Sequence, residues 1–125
     1  MKKYVANVRQ SSSTSSPIPT VFESTLSGVV VWTRSNAGSY LGTLMGEFLD
    51  NRVHIAPFGD FSGNGNVLLP LFDYNTNTIC GYYTFYWRNE DEVGFLTFDS
   101  SFQPADLFDL IGETDLSLPE IRVYP

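Results

Sequence analysis

Thr78-Ile79-Cys80-Gly81-Tyr82-Tyr83-Thr84-Phe85-Tyr86-Trp87-Arg88 is the stretch that decides the fold class. Its aromatic and β-branched residues suit a pleated, packed strand. Large rings fall on both alternating sets, so both faces are predicted to be covered, as in the middle of a sheet. Turn clusters bracket it: Asp73-Tyr74-Asn75-Thr76-Asn77 before, and Asn89-Glu90-Asp91-Glu92 after.

The same punctuation recurs outward from this strand. Residues 93–98 form a further strand. Residues 67–72 form a shorter one, with Pro70 confining it to an edge or a bulge. Upstream, residues 26–33 carry Val29-Val30-Val31-Trp32 and end at the turn cluster Ser35-Asn36-Ala37-Gly38. In residues 39–49, Tyr40, Gly42, Leu44, Gly46 and Phe48 share one face. The glycines among them predict something bulky lying across, or a bend. Asp50-Asn51 reads as a two-residue hairpin turn, with Val53 and Ile55 inward on the returning strand. One short helix is predicted near the end: Pro104 at its start, Leu107, Phe108, Leu110 and Ile111 on its apolar face, and Gly112 as the stop. Residues 116–124 return to an extended form. The sum is an all-β, mainly antiparallel fold, a β-sandwich or small β-barrel of about seven or eight strands with one short C-terminal helix.

The first twenty residues read differently. Tyr4, Ala6 and Val8 alternate weakly, and Gln10-Ser11-Ser12-Ser13-Thr14-Ser15-Ser16-Pro17-Ile18-Pro19-Thr20 has the composition of a linker. The predicted organisation is therefore an N-terminal arm and Ser-rich tether over residues 1–20 and a single β domain over 21–125. Lys2, Lys3 and Arg9 make the arm basic, while Asp106, Asp109, Glu113, Asp115 and Glu120 load the other end of the chain. That asymmetry reads first as a device for solubility, and in its sharper form as a basic arm meeting an acidic surface on a neighbouring subunit.

Composition narrows the function classes. The chain has 125 residues, 42% hydrophobic and 15% aromatic, enough for one packed domain. Fourteen acids against seven bases give a net charge of −7, which argues against a phosphate-backbone partner. No apolar run approaches a membrane span, and residues 4–9 are too short and polar for the core of a signal peptide. The expectation is synthesis in the cytoplasm without export by a signal peptide.

Residues for chemistry are scarce. His54 is the single histidine and Cys80 the single cysteine. A zinc site with two imidazoles is excluded, and His54 is expected outward beside Arg52. Cys80 in an aromatic strand reads as a small core residue, with a Cys80–His54 dyad as the remote rival. Asp60, Ser62, Asn64 and Gly65 mimic the start of a calcium loop, but Leu71 stands where a bidentate glutamate is needed. A weak surface cation at residues 60–66 is the most this stretch supports. No catalytic residue, cofactor or metal site is predicted, and the chain is read as non-enzymatic.

Two binding readings remain. In the first, Tyr4 and Val8 of the arm and the loop aromatics Phe58, Phe61 and Tyr74 are interface residues for a protein partner, a second copy or a larger assembly. In the second, Trp32, Tyr82, Tyr86 and Trp87 line a pocket for a small ligand or glycan.

Several stretches resemble small β-rich proteins of tailed bacteriophages and prophages: Gly28-Val29-Val30-Val31-Trp32, Tyr40-Leu41-Gly42-Thr43-Leu44-Met45-Gly46, Ile55-Ala56-Pro57-Phe58, and Leu118-Pro119-Glu120-Ile121-Arg122-Val123-Tyr124-Pro125. The resemblance implies a virion component, such as a capsid decoration, head-fibre or tail-associated protein. It implies no catalytic residue.

Overall fold

The computed structural model describes residues 1–56, 59–60, 68–73 and 75–125. Eleven strands and one helix occur in it: β1 Lys2–Arg9, β2 Ile18–Ser24, β3 Val31–Asn36, β4 Ser39–Thr43, β5 Val53–Ala56, β6 Gly59–Asp60, β7 Leu69–Asp73, β8 Thr78–Asn89, β9 Glu92–Asp99, α1 Leu107–Ile111, β10 Leu116–Ser117 and β11 Glu120–Val123. All strand pairings are antiparallel.

One sheet runs β3-β4-β9-β8-β7. The other runs β2-β1-β11-β5-β6, with β10 beside β11 on the same edge of β1. Neither sheet closes on itself, so the fold is a sandwich and not a barrel. The long aromatic strand β8 lies between β9 and β7, as its two-faced pattern predicts.

The core is a stack of rings. Tyr40 lies on Phe95 at 4.6 Å, and Phe95 on Phe85 at 5.3 Å, each pair paired in register on neighbouring strands. Trp32 meets both phenylalanines from β3 and reaches across to Tyr4 of the other sheet. Its indole lies flat on Gly42, where a Cβ would come within 2.8 Å of the ring. Of the two alternatives for these glycines, a bulky group lies across Gly42, where a side chain would push Trp32 out of the core, whereas Gly46, at φ 70°, sits in a bend.

Three expectations are corrected. Residues 1–9 are not a separate arm: β1 pairs on both edges within its own chain, and Tyr4, Ala6 and Val8 are buried. Their weak alternation is enough because β1 lies inside a sheet with the other sheet packed over it. Residues 11–17 form the turn from β1 to β2, so the tether is short and structured. Asp50-Asn51 is not a hairpin turn either. β4 and β5 belong to different sheets, and Asn51, at φ 59°, turns the crossover between them. Finally, residues 25–30 arch from one sheet to the other, so the strand predicted at residue 26 begins at Val31.

Candidate functional site: an open sheet edge and a buried polar clamp

The edge of the sandwich formed by β2 leaves a row of apolar side chains exposed. Among the described residues β2 pairs with β1 alone. Val21 stands opposite Ala6, which is 1% exposed, yet Val21 itself is 47% exposed. The sheet that holds β1 thus extends one strand beyond the cover of the β3-β4-β9-β8-β7 sheet. A register shift between Val5 and Ala6 makes Phe22 an extra residue on β2, a β-bulge, and Phe22 is 64% exposed. Ile18 is exposed at the head of the strand, and Val29, 81% exposed, stands in the arch that follows. The arch is held in place by Glu47, whose carboxylate accepts bonds from the Ser27 amide at 3.1 Å and from the Ser27 hydroxyl. Burial works against the ionised form of Glu47. The Ser27 bonds and the Lys2 ammonium at 3.5 Å outweigh it and hold its pKa below the ordinary value.

A polar cluster closes the opposite end of β1. Asp106 is buried and accepts from Arg34 at 3.0 and 3.1 Å, from the Tyr40 hydroxyl at 2.9 Å, from the Gly38 amide at 3.3 Å and from Gln10 Nε2 at 3.2 Å. Because that carboxylate is committed to Arg34 and its neighbours, it does not cap the helix that follows it. Instead the Leu107 amide donates to the Tyr40 hydroxyl at 2.8 Å and the Phe108 amide to Gln10 Oε1 at 2.9 Å. Residues far away in sequence therefore satisfy the first amides of α1. At the other end Gly112, at φ 67°, closes the helix by donating to the Phe108 carbonyl at 2.8 Å, as its place in the sequence predicts. Burial alone would raise the Asp106 pKa, but the Arg34 bonds and the other donors hold it below the ordinary carboxylate value. Burial pushes the Tyr40 phenol well above its usual range. The cluster joins β1, the β3–β4 hairpin and α1, and its donors and acceptors are engaged with one another.

The predicted site residues fall as follows. Tyr4 and Val8 lie in the core of their own chain, facing away from any partner, because β1 is an interior strand. Phe58, Phe61 and Tyr74 lie outside the described residues, as does the cation loop apart from the backbone of Asp60. The four pocket aromatics do not converge. Trp32 is buried, with its indole N–H donating to the Tyr4 hydroxyl at 3.0 Å. Trp87, on the inner side of β8, donates to the Phe48 carbonyl at 2.7 Å. Tyr82 and Tyr86 alternate with Phe85 and so face the other way. Tyr82 stacks on Phe102 at 4.9 Å, and Tyr86 covers Gly94.

Cys80 and His54 lie on strands of different sheets. Burial raises the Cys80 thiol pKa, which is the wrong direction for a nucleophile. Among the described residues no three His, Cys, Asp or Glu side chains group as a metal site. Residues 75–77 form a turn, and the Asn77 amide donates to the Asp73 carbonyl at 2.7 Å. Among the described residues no helix is long and apolar enough to cross a membrane.

No protein-family model, curated protein or solved structure matches the chain.

Ile18, Val21, Phe22 and Val29 escape a site reading from sequence. Their one signal is Pro19, which marks an edge strand beside apolar residues that lack a partner pattern. The Asp106 cluster leaves no signal, because Gln10, Arg34 and Tyr40 are 66 to 96 residues from Asp106.

Proposed function

We propose that this protein is a non-enzymatic structural module that acts by protein–protein contact at the β2 edge, as a component of a larger assembly. One observation carries the reading: β2 leaves a strand edge open while Ile18, Val21 and Phe22 stand exposed along it. Free backbone groups beside apolar side chains recruit another strand, and Pro19, the Phe22 bulge and Glu23 limit this edge without covering its apolar side chains. A phage virion, as a capsid decoration, head-fibre or tail-associated protein, is the assembly that the sequence resemblance favours. The ligand or glycan reading gains no support from geometry, since its four aromatics are split between the two faces of one sheet.

The test is fractionation. A tagged chain is expressed in the cells whose genome carries it, particle formation is induced, and the particles are banded on a density gradient. The chain is expected in the particle band at fixed stoichiometry, and the Phe22→Lys variant is expected to be lost from it. Recovery of the wild-type chain solely in the low-mass fractions overturns the proposal.

A further inference from the structure

We infer that the occupant of the β2 edge is the β2 strand of a second copy, paired antiparallel across a two-fold axis. This rests on the proposed use of that edge and names its partner. The strand has the backbone for it: seven residues with one edge taken by β1. It also has apolar contact on both faces. Val21, opposite Ala6, lies on the inward face, whereas Ile18, opposite Arg9, lies on the outward face.

Charge selects the partner. β2 carries a single charge, Glu23, near its end, and Glu23 lies on the outward face opposite Val5. Arg9, on the same face of β1, flanks the start of β2 at Ile18. Each edge thus presents an acid at one end and a base at the other. A reversed copy sets Glu23 near Arg9 of its mate, and the two-fold repeats that match at the other end. A parallel copy would set Glu23 beside Glu23. The complementarity is internal to the chain, so a second copy meets it without any further design. The edge also suits self-contact in a protein of net charge −7. Lys3 lies 3.4 Å from Glu23, so the contact brings together a nearly balanced strip and leaves the acidic Glu90-Asp91-Glu92 turn outside it. Pro19 lacks a backbone donor and leaves one gap in a ladder that otherwise runs from Ile18 to Glu23.

Charge exchange tests the pairing. The full chain is measured by sedimentation equilibrium as wild type, as Glu23→Arg, as Arg9→Glu, and as a mixture of the two variants. Both positions are exposed, and unchanged circular dichroism spectra confirm folding. The wild type is expected to be a dimer. Each variant alone sets like charges together at both ends and is expected to dissociate about tenfold or more readily. The mixture is expected to restore dimers in a one-to-one ratio, because each copy then supplies the charge its mate lacks. A monomeric wild type, a dimer indifferent to the exchanges, or a mixture that stays dissociated each overturns the inference. A monomer that still bands with particles removes the second copy and leaves the assembly role standing. A dimer that never bands with particles does the reverse.

Discussion

β1 and β2 are neighbours in sequence and in the sheet, yet their fates are opposite. β1 reads Lys-Lys-Tyr-Val-Ala-Asn-Val-Arg, and three of its side chains are in the core. β2 reads Ile-Pro-Thr-Val-Phe-Glu-Ser, with at least as much apolar character, and nearly all of it is exposed. The difference is position. β1 has strands on both edges and the β3-β4-β9-β8-β7 sheet across its inner face, whereas among the described residues β2 has a strand on one edge and no layer over Val21. Hydrophobicity sets what a side chain gains by burial. The number of neighbouring elements sets whether that gain is realised.

The strongest way to break this contrast is to remove β1. Deleting residues 1–10 takes out Tyr4, Ala6, Val8 and Gln10 and removes the strand that β2 pairs with. Loss of the cooperative thermal transition is expected. A truncated chain that melts like the full one would mean β1 is dispensable after all. Next in size is Tyr4→Ala, which opens a cavity beside Trp32 and strands its indole N–H, for a loss of about 4 kcal/mol in urea unfolding. Tyr4→Phe keeps the ring and is expected to cost about 1 kcal/mol. Equal losses for the two would show that the hydroxyl, and not the packing, holds the sheets together.

The clamp at the end of β1 gives the third measure. Asp106→Ala removes the acceptor shared by Arg34, Tyr40, Gln10 and Gly38, at about 3 kcal/mol. It also bears on pH. The folded-state pKa of Asp106 is depressed, so the unfolded chain takes up the proton at higher pH than the folded one. The resulting stability is present above the ordinary value of 3.8 and is lost as pH falls below it toward the folded-state value. Glu47 adds in the same direction below its ordinary 4.5. Acid titration of the wild type is therefore expected to show a steeper fall in stability than that of Asp106→Ala. Parallel curves would remove Asp106 from the acid response. The smallest effect is expected at β2: Phe22→Ala should change monomer stability by less than about 0.5 kcal/mol. A larger loss would place Phe22 in the core and dissolve the contrast with β1.

Local pattern and tertiary context divided the information unevenly. The alternation and turn clusters around residues 73–99 were enough to place β8, β9 and the turns beside them. Gly112 marked the helix stop, and Gly42 marked the approach of a bulky group, which proved to be Trp32. These features depend on neighbours a few residues apart, or on a glycine whose missing side chain is itself the signal. The arm was misread because a serine-rich turn has the composition of a tether. Whether β1 is free or paired is decided by residues 116–123, at the other end of the chain. The Asp50-Asn51 turn was misread for a related reason. A φ-permissive pair bends the chain equally well within one sheet or between two, and only strand pairing distinguishes them.

By itself, then, the sequence determined an antiparallel β fold with an aromatic centre, because strand period and turn chemistry are local properties of the backbone. Tertiary structure alone decided which apolar strand became core and which became edge, and which distant side chains gathered around Asp106. Burial and charge pairing depend on what stands opposite, and that is set only when the two sheets close.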